Sequence, residues 1–334
     1  MNRADFVERN EATWREFEAL IQRIESRDPP ANLDQLPRLF RTVCRDLATA
    51  QHRMYGIPLI DRLNGLVSRG YKHLYREPGL SAERIGRFFA ADLPQTVRRQ
   101  WRLFWLCNAV YWLPLIALTF AGKFAPEWIT SILGPGTMAG LDASWGDPDL
   151  DRGFLGDLRM FGFYIYNNVR IDFMVFAGGL FLGVGTLFLL FFNGIQHGAV
   201  AGYMNMAGYN EKFYSFVSGH SSYELLGMIL AAMAGMILGL AILRPGRHLR
   251  GEALKQTRDT TLTLILGAAF LTIFAACVEG FWSANNFSPR LKYSVGIAGW
   301  ILLGCYFTFA GRGRAPAGPT TAAGELASNK GGQP

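Results

Sequence analysis

The sequence predicts an all-α protein, in which a polytopic helical membrane domain follows a small helical bundle. Half of the 334 residues are hydrophobic and only 18% are charged, whereas soluble domains are about 25% charged. Beyond residue 103, apolar runs of about 20 residues recur, and each is long enough to cross a hydrocarbon core. We therefore predict a cytoplasmic bundle over residues 1–100, a transmembrane domain over 101–311 and a disordered tail over 312–334.

The first hundred residues place apolar side chains at helical spacing, with charges between them. Trp14, Phe17 and Ile21 follow this pattern, which is typical of an amphipathic helix with one buried face. Residues 1–28 lack the apolar core of a signal peptide, so we expect an internal span to direct membrane insertion. The bundle is predicted to contain helices over 3–27, 33–54, 58–76 and 81–92.

Five runs are apolar enough to be read directly as membrane spans, over 104–122, 172–192, 223–243, 260–282 and 293–311. Arginines at 98, 99 and 102 precede the first run and place the N-terminal region in the cytoplasm. The 123–166 loop suits the outside, because it is acidic at Glu127, Asp142, Asp147, Asp149, Asp151 and Asp157.

The basic loop over 244–259 conflicts with a count of five. The positive-inside rule assigns this loop to the cytoplasm, but five plain spans would put it outside. A sixth pass over 194–219, irregular or re-entrant and buried among other helices, removes the conflict. The sequence therefore predicts five to six spans, one of them irregular.

The net charge of +7 comes from basic residues that flank the spans. Such residues are attracted to anionic lipid, so the lipid bilayer is the expected partner and nucleic acid is not. The four cysteines are far apart and form no CxxC pair. This spacing predicts neither a disulfide framework nor a zinc site, and we expect no metal and no cofactor.

Polar residues at the ends of the apolar runs form a candidate polar membrane site. Asn167, Asn168 and Arg170 precede the run over 172–192, where they are expected to cap a helix N-terminus and anchor it at the interface. Asn193 follows the same run. Glu279 lies near the end of the 260–282 run and should face the bundle interior or the membrane interface, since a carboxylate within the membrane is costly.

His220 and Glu224 complete this candidate site. They stand four residues apart, so on a helix they share a face. Such a pair suits a structural polar lock at the start of the 223–243 helix, which is the interpretation we favour. It also suits proton or metal-ion handling, or the activation of a nucleophile. The sequence lacks His-Glu-x-x-His, and His197 is the nearest further histidine.

Glycines recur at a spacing that lets membrane helices approach closely. Gly179 and Gly183 form one GxxxG pair, and Gly235 and Gly239 form another. Tight helix packing is the favoured interpretation, with a conduction path or a homodimer seam as alternatives.

Taken together, these segments resemble the stage II sporulation protein M family of integral membrane proteins. The resemblance extends over most of the chain. One departure is Gly219-His220-Ser221, where the family usually has Pro-His-Gly. The segments that carry the resemblance are Trp14, Phe40-Arg41, Asp46-Leu47-Ala48, 63–69, Leu74-Tyr75, 167–170, 176–179, 183–186, Asn193-Gly194, 198–202, His220 with Glu224-Leu225, and 279–281.

The resemblance implies a bacterial inner-membrane protein that acts as a scaffold for envelope or peptidoglycan-remodelling proteins, and not as an enzyme. A sporulation role is implied only for spore formers. Two other functions stay open. One is a transporter or channel component with a polar path through Asn193, His220, Glu224 and Glu279. The other is an intramembrane enzyme that uses His220 and Glu224.

Overall fold

The structure is a computed structural model that describes residues 2–26, 33–74, 82–146 and 153–313. All regular secondary structure in these ranges is helical, as predicted. The helices are α1 Arg3–Glu25, α2 Leu36–His52, α3 Ile57–Leu74, α4 Ala82–Arg87, α5 Leu93–Arg99, α6 Trp101–Phe124, α7 Pro126–Gly146, α8 Gly153–Ala177, α9 Val184–Met206, α10 Asn210–Leu243, α11 Arg250–Cys277 and α12 Pro289–Phe309.

The chain divides into two compact units, the first ending at Ala82 and the second beginning at Glu83. Helix α5 therefore belongs to the second unit, although the sequence-based boundary lies at residue 100. The predicted tail over 312–334 falls outside the described residues from 314 onward.

The first unit is a bundle of α1, α2 and α3 that packs its apolar faces inward, which confirms the predicted helical bundle. Trp14, Phe17 and Leu63 are fully buried in its core. The indole N–H of Trp14 donates to Asp46 Oδ2 at 3.0 Å, so the buried carboxylate has a partner. At the surface, Arg62 donates two hydrogen bonds to the carboxylate of Glu11, at 2.8 and 3.0 Å.

In the second unit, five helical segments have the length and apolar composition to cross a membrane. They are Trp101–Phe124, Val184–Met206, Asn210–Leu243, Arg250–Ser283 and Pro289–Phe309. Helix α10 occupies the centre of this unit, and all its residues from 226 to 237 are buried. The polytopic membrane fold is therefore confirmed.

Helices α6 and α9 run parallel, which requires one more crossing between them. Along α9, Gly194 packs against Tyr111 and Gly198 packs against Leu115, so the two helices advance in the same direction. The chain must return between them, and α8 makes that return. The carbonyl of Val175 near its C-terminus accepts a hydrogen bond from Thr186 at the start of α9. Helix α8 thus runs back along the unit between α6 and α9, and we expect it to be a sixth pass.

The start of α6 and the end of α12 meet at one end of the unit. The guanidinium group of Arg98 donates to the carbonyls of Phe307 and Ala310, at 2.7 Å each. We call this the basic end, because it also carries Arg99, Arg102, Arg244, Arg247, Arg250 and Arg312. At the opposite, far end, Trp145 of α7 packs against Phe213 and Phe216.

The predicted span over 172–192 is wrong, because the chain reverses direction within it. Helix α8 ends at Ala177, a short 3-10 helix covers Gly178–Leu180, and α9 begins at Val184. The reversal passes through left-handed backbone at Leu182 (φ 58°) and Gly183 (φ 85°), a conformation that glycine adopts at no steric cost. A hydropathy profile does not detect this turn, because the turn residues are themselves small or apolar.

The predicted irregular pass over 194–219 is also wrong. Regular helix covers both halves of the segment, α9 as far as Met206 and α10 from Asn210, with a tight turn at Gly208 (φ 82°) between them. The extra pass that the basic loop demands is α8, which hydropathy misses because it carries Asn167, Asn168, Arg170 and Asp172. Likewise, much of the predicted 123–166 loop is helical, in α7 and the first half of α8.

The two GxxxG pairs pack against each other within one chain. Gly179 lies against the backbone of Gly235, and Gly183 lies against Gly239. Small residues thus let the α8–α9 turn approach the central helix closely. The homodimer stays a prediction, and these glycines serve an intramolecular contact.

Candidate functional site

His220 and Glu224 lie inside α10, one helical turn apart on the same face. The helix begins at Asn210, ten residues before His220, so the expected role at a helix N-terminus is wrong. His220 Nε2 lies 3.7 Å from Glu224 Oε2. The imidazole is 3% exposed, and the ring of Phe216 packs against its edge.

The third member, Glu279, comes from the end of α11. Here the helix widens into a π-helical segment, Val278–Ser283, a rare geometry that is frequent at functional sites. Glu279 Oε1 lies 3.9 Å from His220 Nε2. Ser283, one turn later, places its Oγ 3.1 Å from His220 Nδ1. The two ring nitrogens therefore have different partners: Nε2 faces the carboxylates, and Nδ1 faces the hydroxyl.

Close backbone contact between the helices makes this geometry possible. Gly219 lies directly against the indole ring of Trp282, and a Cβ at position 219 would overlap that ring. Lys292 of α12 closes the same region, because its ammonium group is buried and donates to the carbonyl of Ser283 at 2.8 Å. The polar atoms are thus enclosed by α10, the π-helical segment and α12.

We call His220, Glu224 and Glu279 the His-Glu-Glu cluster. One ligand atom from each side chain lies within 4.8 Å of the other two. An imidazole nitrogen and two carboxylate oxygens at this separation are able to share a proton or to coordinate a cation. Of the two environments expected for Glu279, the bundle interior is the one observed, since this residue is 9% exposed.

A second set of polar residues lies deeper in the bundle. The hydroxyl of Thr272 donates to Asp172 Oδ2, and both residues are buried. The hydroxyl of Tyr111 lies 2.6 Å from His197 Nδ1. Glu224 is close enough to interact electrostatically with both Asp172 and Tyr111. Glu224 therefore links the His-Glu-Glu cluster to this deeper set.

The remaining predicted site residues do not join the His-Glu-Glu cluster. The contacts that the structure describes for Asn167 and Asn193 lie within their own helices. Asn167 donates its amide to Asn168 Oδ1 at 3.0 Å, and Arg170 is exposed. Asn168 is buried on α8, one turn before Asp172. The expected helix capping at 167–170 is wrong, because α8 begins at Gly153. Asn193 donates to the carbonyl of Leu189 in its own helix, at 2.8 Å.

The sequence reasoning missed five residues of these polar sets. For Asp172 a signal existed, since it is a carboxylate at the start of an apolar run. Ser283, Thr272, Tyr111 and Lys292 gave no such signal, because single hydroxyls and a lysine near the end of a helix are common in membrane segments.

Together, the fold and the site define a multi-pass helical membrane protein with a buried cluster of ionisable side chains. Residues 129–284 match the family described as stage II sporulation protein M. Over this range the chain is SpoIIM-like, as the resemblance predicted. The matched range contains all three members of the His-Glu-Glu cluster.

A second family match covers the first unit. Residues 4–76 match a family described as a domain of unknown function, DUF8413. Neither the comparison with curated proteins nor the comparison with solved structures gives a match.

Proposed function

We propose that this protein moves protons or small cations across the membrane through its second unit. The observation that carries this proposal is the His-Glu-Glu cluster, in which three ionisable side chains from two helices meet inside the bundle. Ionisable groups at membrane depth are costly, and they typically mark ion pathways or proton relays. Tight packing of the helices does not by itself require ionisable side chains.

The position of the polar residues along the helices supports a path that opens toward the far end. Helix α10 has 34 residues, which corresponds to about 51 Å at 1.5 Å per residue. His220 lies ten residues, or about 15 Å, from its far end. Asp172 and Thr272 lie deeper, and Lys292 lies near the far-end start of α12. These groups form a discontinuous series from the interior toward the far end.

We further propose that the basic end faces the cytoplasm of a bacterium and that the chain resides in the inner membrane. Lysine and arginine are enriched in short cytoplasmic loops of membrane proteins. The arginines around Arg98, Arg247 and Arg312 follow this rule once α8 is counted as a pass. The first unit, which precedes α6, would then also be cytoplasmic.

Reconstitution of the full-length protein into liposomes tests transport. A lumenal pH dye and a metal-sensitive dye report flux under an imposed pH, potential or cation gradient. We expect Glu279→Gln and His220→Asn to lower the initial rate at least tenfold. The exposed variant His248→Asn should keep the wild-type rate. A flux no higher than that of protein-free liposomes, under every gradient, would contradict the proposal.

A scaffold for envelope or peptidoglycan-remodelling proteins is the second candidate function. The observation that favours it is the separate first unit, which has its own core and an ion-paired surface. Such a unit is suited to recruiting partners at the membrane. Affinity purification of the full chain should then recover cell-wall enzymes, and charge reversal at exposed Arg41 should reduce their yield. Equal recovery with an unrelated membrane protein as bait would contradict it.

As part of the scaffold function, we propose that the chain forms a homodimer. Mass measurement in detergent tests it directly, and a monomer at all protein concentrations would contradict it.

The structure gives less support to an intramembrane enzyme. His220 and Ser283 form a hydroxyl–imidazole pair, but Ser283 is fully buried and has no access to a substrate. We therefore do not propose a chemical step.

A further inference from the structure

We infer that the His-Glu-Glu cluster is a binding site for one divalent transition-metal ion of the zinc class. This deepens the proposed transport and rests on the same residues, but binding and flux are measured separately. The inference starts from the ligand atoms themselves, which converge from α10 and from the end of α11 to within 4.8 Å of one another.

The ligand set selects the class of ion. Mg²⁺ and Ca²⁺ prefer ligand shells made of oxygen, whereas an imidazole nitrogen favours zinc and its neighbours in the first transition row. The two carboxylates would neutralise the double charge of the ion. This neutralisation matters because an unpaired charge in the interior of a membrane protein is expensive.

The distances leave room for an ion between the ligands. His220 Nε2 lies 3.7 Å from the Glu224 oxygen and 3.9 Å from the Glu279 oxygen. Hydrogen bonds of this kind are shorter, about 2.7–3.2 Å. Ligand atoms around a tetrahedral ion with bonds of about 2.1 Å are about 3.4 Å apart. The two contacts of His220 would shorten by a few tenths of an ångström, and the ligand atoms, which lie within 4.8 Å of one another, would close by at most about 1.4 Å.

The surroundings of His220 match those of metal-binding histidines. A ligating imidazole commonly hydrogen-bonds through its other nitrogen, and this bond fixes both the tautomer and the ring orientation. Ser283 Oγ occupies that position at Nδ1. Lys292, the cation packed nearby, donates to the Ser283 carbonyl. Three protein ligands would leave a fourth position open for water or a passing anion.

The chain contains a matched control pair. His248 and Glu252 also stand four residues apart, with 3.9 Å between Nδ1 and the carboxylate. Their side chains are 49% and 59% exposed, and no third ligand joins them in the described part of the chain. A comparison of the two pairs distinguishes the effect of a buried three-ligand site from the effect of the four-residue spacing of His and Glu.

Metal titration of the full-length, tag-free protein in detergent tests the inference. After treatment with a chelator, Zn²⁺ binding is measured by calorimetry and by elemental analysis. We expect one ion per chain. His220→Asn and Glu279→Gln should weaken binding at least a hundredfold, and Ser283→Ala should weaken it about tenfold. His248→Asn and Glu252→Gln should bind like the wild type. Equal affinity in all variants, or loss only in the control variants, would overturn the site.

X-ray absorption of the zinc-loaded wild type tests the same site without relying on a folded variant. We expect nitrogen and oxygen neighbours at about 2.0–2.1 Å with imidazole scattering. Sulfur neighbours at about 2.3 Å would place the ion on a cysteine and refute the inference. Proton flux without zinc binding would refute the metal site and leave the transport proposal standing. Zinc binding without flux would support the metal site and refute the transport proposal.

Discussion

The imidazole of His220 lies 3.9 Å from the carboxylate of Glu279, which belongs to the following membrane helix. Glu279 belongs to the π-helical segment that follows α11. The same segment places Ser283 on the other side of the imidazole ring. It converts a two-residue pattern on α10 into a three-residue cluster. The chemistry open to the site follows from this third residue.

Labelling of single cysteines tests the sixth pass. With Cys44, Cys107, Cys277 and Cys305 replaced by alanine, an impermeant maleimide should modify Arg99→Cys and Arg247→Cys from the same side of the membrane. If α8 did not cross, these two positions would lie on opposite sides. Labelling is measured by mass shift in sealed vesicles, before and after permeabilisation.

A companion cysteine at exposed Ser131 of α7 serves as the control for that experiment. It belongs to the far end, so it should react only from the opposite side. Reaction of all three positions from one side would contradict the proposed arrangement of α6 to α10.

Replacement of Gly219 by valine should destabilise the membrane unit by about 1–3 kcal/mol, because an added side chain overlaps the ring of Trp282. Thermal unfolding in detergent measures this loss. Gly304→Ala is the matched control, since its Cβ would meet no atom within 4 Å. It should keep or slightly raise the midpoint. Equal midpoints for Gly219→Val and the wild type would show that the close contact does not form.

In the first unit, Trp14→Phe should cost about 1–3 kcal/mol. The substitution removes the hydrogen bond to Asp46 and leaves that buried carboxylate without its indole donor. Asp46→Asn keeps an acceptor oxygen and should cost less. Hydrogen exchange over α1 to α3 in the full chain measures both. A larger effect for Asp46→Asn than for Trp14→Phe would count against this ranking.

The stability of the first unit should fall in acid through Glu11. The hydrogen bond from Arg62 lowers the pKa of Glu11 below its ordinary value of 4.5. Because the folded-state pKa is the lower one, the stabilisation is present above about pH 4.5 and is lost as the pH falls through the folded pKa. The pair is partly exposed, so its contribution is about 1 kcal/mol or less.

The measurement for this prediction is hydrogen exchange as a function of pH. Glu11→Gln should be less stable than the wild type near neutral pH and should lose this difference in acid. Exposed Glu8→Gln is the control and should follow the wild type throughout. A constant difference between Glu11→Gln and the wild type down to pH 2 would refute the linkage.

The amphipathic periodicity around Trp14 predicted the first unit correctly, because helical periodicity is a local property of the chain. Four of the five apolar runs were placed correctly for the same reason. The 172–192 run failed because a turn through Leu182 and Gly183 is as apolar as a helix. Helix α8 was missed because Asn168 and Asp172, which face the bundle interior, lower its hydropathy.

The sequence by itself determined the helical membrane class, the resemblance to a family, and the shared face of His220 and Glu224. All three depend on composition or on spacing within one helix. Only the tertiary structure decided that α8 returns the chain between α6 and α9 and that Glu279 and Ser283 reach His220. Those relationships arise from packing between residues on different helices, such as His220 and Ser283, which are 63 residues apart in the chain. A glycine contact such as Gly219 on Trp282, and not any local pattern, brings them together.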